Sequence, residues 1–153
     1  MIVIERPSLT DRSEVEQMIA TYHASEGLRP NHEKIAWAVN QLLQNESSGL
    51  ILVARENTVI VGVVFAFYLP SAEFGRMLII QDFFVNPGSR RKGVGHALAA
   101  RLIAEAKATK TEQISLEVVP TNEMAPAFWR SEGFLQSDRR LYNLNLHEPF
   151  LGV

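Results

Sequence analysis

Apolar positions along the chain change their spacing several times, and the changes mark out its elements. Residues 2–5 read as a short first strand. Val15, Met18, Ile19 and Tyr22 then recur at i, i+3, i+4 and i+7, which predicts a helix over residues 11–24. Asp11 and Glu14 stand at its start with the spacing of a capping box. Ile35, Val39 and Leu42 predict a second helix, opened by Pro30 and Asn31 and stopped near the polar run 45–49. The period then shortens. LILVA and VIVGVVFAFYL are β-branched and aromatic runs separated by residues 55–58, which is a hairpin pattern. MLIIQDFFV follows as another strand, ended by Asn86, Pro87 and Gly88. Helical spacing returns with Val94, Leu98 and Leu102 in an alanine-rich stretch to about residue 109. Ile114, Leu116 and Val118 alternate with Ser115, Glu117 and Val119 as one more strand. Asn122 can cap a last helix carrying Ala125, Phe128 and Trp129, where Pro126 is tolerated only in the first turn. Gly133 is placed as the left-handed residue past its end, and Tyr142, Leu144 and Leu146 alternate with Asn143 and Asn145 in a final strand.

The order β-α-α-β-β-β-α-β-α-β puts three strands in succession before βαβα. It predicts an α+β fold with a mixed, mostly antiparallel sheet and helices on both faces. A doubly wound parallel sheet would need a helix between most pairs of strands.

Composition narrows the possibilities. The 153 residues, 46% of them hydrophobic and 21% charged, suit one domain over 1–153. A domain of that size buries roughly 70% of the surface its unfolded chain exposes. The formal net charge of -2 gives no general attraction to nucleic acid or to anionic lipid. There is no cysteine, which removes disulfides, thiolate metal sites and an acyl-cysteine intermediate. The four histidines show no metal-ligand spacing, so no metal is expected. No apolar run approaches the roughly 20 residues of a membrane span, and the N-terminus turns polar too soon for a signal peptide. The expectation is a soluble, cytoplasmic protein, with room for a homodimer.

One stretch conflicts with its own electrostatics. GSRRKGVGHALAARL sets Arg90, Arg91 and Lys92 at the start of a helix, where the macrodipole is positive and cations are unfavourable. The first turn of a helix also carries backbone N–H groups without partners. Gly93 and Gly95 would let a ligand approach them. An anion bound there turns the conflict into a stabilising arrangement. The P-loop pattern is absent, because Val94 and Gly95 follow Gly93, and the dinucleotide pattern fails where Leu98 replaces its third glycine.

VNPGSRRKGVGHAL resembles the coenzyme-A-binding motif of the GNAT superfamily of N-acetyltransferases, whose Arg or Gln, x, x, Gly, x, Gly or Ala pattern is met by Arg90, Gly93 and Gly95. LEVVPTNEMAPAFWRSEGF is similar to the family's next strand and helix. The resemblance implies a GNAT-like sheet of six to seven strands flanked by four helices, with the central strands splayed. It implies that backbone amides of Arg91, Lys92, Gly93, Val94, Gly95, His96 and Ala97 hold the pyrophosphate of acetyl-coenzyme A. The pantetheine arm would lie along Phe83, Phe84 and Val85, in the gap between residues 81–85 and 114–119. Asn122 and the face of Phe128 and Trp129 would line the thiol end. QDFFV looks most like the polyamine enzymes and LEVVPTN like those that acetylate protein N-termini, so the two stretches point to different amines.

Transfer to an amine requires removal of its proton, stabilisation of an oxyanion and departure of a thiolate. An aliphatic amine with pKa of about 10 is mostly protonated at neutral pH. Glu117 and Asp82 are the candidate bases, and Glu117 matches a position that serves as base in some relatives. Gln81 stands where polyamine-type relatives carry Glu, and an amide cannot be a base. Trp129 replaces the tyrosine that acts as general acid in many relatives. Its indole N–H can donate a hydrogen bond but not a proton near neutral pH. Tyr142 on the last strand is a candidate substitute, with core packing as the role its strand pattern favours. Acceptor selection is assigned to Tyr22, His23, Glu26, Arg29 and Glu33 and to the loop 71–76, whose acidic groups suit a cationic amine. The alternative is a coenzyme-A-binding module without catalysis.

Overall fold

The computed structural model describes residues 1–146. Four helices form where the spacing places them: α1 (Arg12–Ser25), α2 (His32–Gln44), α3 (Val94–Ala108) and α4 (Ala125–Ser131). The Asn31 side chain accepts the Lys34 N–H at 3.1 Å and so caps α2. The capping box ahead of α1 forms one turn earlier than its spacing suggested. Asp11 accepts the Ser8 N–H at 2.8 Å, while Glu14 reaches out to the Ile60 N–H at 3.1 Å.

Five strands make one sheet: β1 (Ile2–Glu5), β2 (Gly49–Glu56), β3 (Val59–Ser71), β4 (Gly75–Val85) and β5 (Gln113–Leu116). They lie in chain order, antiparallel except for the parallel pair β4–β5. Asn57, with φ of 56°, makes the tight turn between β2 and β3.

Two expectations need correction. The sheet has five strands among the described residues, not six to seven, because the alternating run Tyr142, Leu144, Leu146 forms no strand. Those side chains are 87%, 85% and 90% exposed, so Tyr142 neither packs in a core nor reaches a site. The strand expected over 114–119 also stops at Leu116, and residues 117–120 are exposed.

The sheet separates two apolar layers. Leu50, Leu52, Leu78 and Ile80 face α3 and α4, joining Leu98, Leu102 and Trp129. Ile51, Val53, Val63 and Phe65 face α1 and α2, joining Val15, Ile19, Ile35 and Val39. Alternation in β4 breaks once. Phe65 opposes Asp82 and Ala66 opposes Ile80, leaving Gln81 as the extra residue of a bulge. Before the bulge the even-numbered Leu78 and Ile80 face α3; after it Phe84 faces α1, while Phe83 and Val85 pack on the α3 side.

Leu98 is fully buried between α3 and the sheet. Leu98→Ala is expected to lose about 2–5 kcal/mol in urea unfolding. Leu9→Ala, at a side chain 71% exposed, should change stability by less than about 0.5 kcal/mol.

Candidate active site

The loop before α3 is built for its backbone. Gly93 has φ of 80°, yet a Cβ there would meet nothing within 4 Å, so the dihedral and not space selects glycine. Arg91 is also left-handed, with φ of 62°, a conformation that non-glycine residues adopt rarely. Ala97 N–H donates to Gly93 O at 3.0 Å, which leaves the amides of the preceding turn without intrahelical acceptors. The basic side chains divide. Arg90 donates from Nε to the Val85 carbonyl at 2.9 Å, with its guanidinium 5.6 Å from the Phe84 ring centre. Arg91 and Lys92 are exposed, and among the described residues neither enters an ion pair. His96 Nδ1 lies 2.9 Å from Glu132 at the end of α4.

Beside this loop the sheet opens. β4 and β5 pair from Met77–Gln113 to Ile80–Leu116, and the ladder ends at the bulge. Beyond it, Phe83, Phe84 and Val85 continue along β3 and, among the described residues, have no strand on the other side. The far wall of the gap is α4. Phe83 meets Trp129 edge to face at 4.8 Å and Phe128 at 5.5 Å. Trp129 also contacts Phe128 and Phe134, each at 4.9 Å, so aromatic rings hold it on three sides. A Cβ on Gly95 would lie 3.2 Å from the Phe128 ring, so this glycine lets the start of α3 touch α4. Asn122 Oδ1 accepts the Ala125 N–H at 3.1 Å and sets where α4 begins.

The opposite face of the bulge is walled by α1 and α2. A pocket of about 390 Å³ lies there, with Gln81 and Asp82 on one side and Ile19, His23, Lys34 and Trp37 on the other. Asp82 is buried, and His23 Nε2 is 2.6 Å from its Oδ1. The hydrogen bond to Asp82 raises the His23 pKa above its ordinary 6.5, outweighing the effect of burial, and the charges of Asp82 and Glu26 add to it. Next to it, burial and a 3.0 Å hydrogen bond to Glu26 raise the Tyr22 phenol, which therefore stays protonated.

Asp82 and Gln81 thus meet His23 in one pocket, while Phe83, Phe128 and Trp129 gather around the gap behind them and Asn122 serves as the cap of α4. Glu117 is in neither group; it is exposed just past β5. The loop 71–76 lines a separate open groove with Tyr68, Pro70 and Arg76. Lys34 and Trp37 were not singled out in the sequence. The His23–Asp82 pair was not foreseen either, since its members stand 59 positions apart. Among the described residues no group of three or more His, Asp or Glu side chains is arranged to hold a metal, and no helix is long and apolar enough to cross a membrane. The unpaired amides before α3 and the open edge of β4 fit a phosphate-bearing ligand with an extended arm.

Comparison with known proteins agrees with this geometry. An aminoglycoside N-acetyltransferase, AAC(6')-Iy in complex with CoA, superposes with a TM-score of 0.81 at 14% identity, over 96% of each chain. A protein from Clostridium acetobutylicum, described as a predicted acetyltransferase with acetyl-CoA, gives 0.80 at 23% identity, over 97% of this chain and 100% of that one. The ribosomal-protein-alanine N-acetyltransferase of Brucella melitensis biovar Abortus 2308 gives 0.73 at 22% identity, over 95% and 100%. At these identities the likenesses establish the fold. Among curated proteins, none matches the sequence. The sequence model of the acetyltransferase (GNAT) family matches residues 13–134, from α1 to the aromatic cluster behind α4, and the chain belongs to that family.

Proposed function

We propose that the protein transfers an acetyl group from acetyl-coenzyme A to a primary amine, and that donor and acceptor approach the bulge at Gln81 from opposite faces of the sheet. The observation that carries this reading is the break in the sheet at Gln81, with an anion-accepting loop and aromatic cleft on one face and the His23–Asp82 pocket on the other. Bound acetyl-coenzyme A supplies the activated acetyl group. The amides of residues 91–96 would hold its phosphates, the Ala97 N–H being taken by Gly93 O, and the free edge of β4 at Phe83 and Val85 would align its arm. Phe128 and Trp129 keep water from the thioester end.

The His23–Asp82 pair takes the proton from the incoming ammonium, directly or through water. A carboxylate that already accepts from an imidazole shares the gained proton with it, which suits a base working near neutral pH. Trp129 supplies no proton. A thiol of pKa about 8.5 leaves adequately without one. Glu117, exposed just past β5, takes no part in this reading, and the ranking of variants below decides between it and the pair. The acceptor pocket favours an amine carried on an apolar or aromatic body. Trp37 and Ile35 are apolar walls, Lys34 adds positive charge, and the carboxylate of Asp82 is already engaged. Polycations fit it poorly.

Three measurements test the reading. At ligand about 100 times Kd, acetyl-coenzyme A should add about 2.7 kcal/mol, or roughly 5–10 °C in melting temperature, with NAD and ATP giving no shift. Absence of a selective shift removes the donor assignment. In an amine screen read by thiol release, Asp82→Asn and His23→Gln should each lower kcat/KM by about 10²–10⁴-fold and Glu117→Gln by only a few fold. The reverse ranking would make Glu117 the base, and no amine-dependent release from any amine would leave a binding module. By NMR, His23 should titrate above 6.5 and fall back toward that value in Asp82→Asn. Because the folded pKa is raised, wild type should exceed Asp82→Asn in stability most below about pH 6.5 and lose that advantage as pH rises through the His23 pKa.

A further inference from the structure

Helix α2 carries two stripes. Ile35, Val39 and Leu42 are buried against the sheet. One position round, Lys34, Trp37 and Ala38 stand at i, i+3 and i+4, and all three line the pocket that holds His23 and Asp82. The core explains the inner stripe but not the outer one. Trp37 is 66% exposed. A single exposed apolar residue calls for no explanation, but this one stands at a pocket with a lysine one turn before it.

Charge decides what the tryptophan can serve. An indole face attracts cations, so Trp37 alone would suit a polyamine. Lys34 opposes that, because a second ammonium entering the pocket meets a like charge. Among the described residues lining the pocket, His23, Lys34 and Asp82 carry charge or titrate. Asp82 and His23 engage each other at 2.6 Å, and the nearby Glu26 accepts from the Tyr22 hydroxyl at 3.0 Å. Lys34 enters no ion pair among the described residues.

The backbone N–H of Lys34 is already taken by the Asn31 cap, so what the residue offers the pocket is its side chain. It is a cation without a counter-charge, set in the first turn of a helix, where the macrodipole disfavours it. An anionic group brought in by the acceptor relieves both. A volume of about 390 Å³ suits a small molecule, and Ile35, Ala38, Val39 and Phe65 give its body apolar walls.

We infer that the acceptor is an amino acid, whose amine meets the His23–Asp82 pair while its carboxylate binds Lys34 and its apolar or aromatic body lies on Trp37. The inference rests on the acetyl-transfer reading and names the acceptor class of that same site. One ammonium proton passes to the His23–Asp82 pair, and the freed nitrogen bonds to the acetyl carbon. The carbon–sulfur bond then breaks, the sulfur departs as thiolate, and the nitrogen loses its second proton to water. Lys34 and Trp37 take no proton; they select the molecule that does the attacking.

A matched set of acceptors tests this by thiol release: phenylalanine, 3-amino-3-phenylpropionate, the methyl ester of each, and 1,5-diaminopentane. Wild type should use at least one of the two acids in preference to the diamine. Lys34→Gln should lower the ratio of kcat/KM for that acid to kcat/KM for its ester about tenfold, through KM for the acid. Comparing the ratio in two proteins cancels the different basicities of the two amines. Lys34→Arg should keep most of the ratio, and Lys34→Glu should lower it further and admit the diamine. Lys34 is exposed, so none of these changes removes a core contact. Trp37→Ala should raise KM for phenylalanine more than for alanine. An unchanged ratio in Lys34→Gln, an equal loss for acid and ester, or preference for the diamine in wild type would overturn the inference and leave acetyl transfer to amines standing. Failure to release thiol with every amine tried would remove the transfer reading itself, and this inference with it.

Discussion

One extra residue in β4 organises this molecule. Gln81 has no partner across the ladder, and its insertion does two things at once. It ends the pairing of β4 with β5, so the sheet stays open from residue 81 onward. It also reverses which side chains face which layer. Without it Asp82 would follow Leu78 and Ile80 into the apolar layer beneath α3, where an ionised carboxylate is costly. With it Asp82 turns to α1 and finds His23. The gap and the His23–Asp82 pair are two results of a single irregularity.

The surrounding parts are arranged to hold that irregularity in place. β3 spans 13 residues and keeps β4 aligned on its closed side across the bulge. On the open side the strand that would have paired is replaced by rings: Phe83, Phe128, Trp129 and Phe134 form a connected set. Aromatic contacts need no ladder hydrogen bonds, so they can bound a gap without closing it. That explains how a short helix such as α4 stays in position.

Much of this was legible in the chain, for identifiable reasons. Helices α1, α2 and α3 follow from apolar spacing, and the glycine loop announced itself by placing cations where a helix disfavours them. What alternation does not reveal is a change of phase. Read as a regular strand, QDFFV gives the wrong face for Asp82, and only the register with β3 shows otherwise. The reach of β5 was overestimated for a related reason: ISLEVV keeps a strand pattern past the point where β4 stops offering a partner. Residues 142–146 also carry a strand pattern, but a pattern states that a segment suits pairing and not where its partner is. His23 and Asp82 carry no mutual signal in sequence, since they are joined through two elements rather than by spacing.

The loop before α3 has a consequence for how such a site changes over generations. In the proposed function its anion-accepting atoms are main-chain amides, which every residue except proline carries, while Arg90 is occupied with Val85. Lys92 is therefore free to drift among side chains, altering the strength of long-range attraction without dismantling the cradle, while position 91 is held to residues that accept its positive φ. Gly93 and Gly95 have no such latitude, one because of its dihedral and the other because of a phenyl ring. The persistent signature of the loop is thus written in the residues that have no side chain.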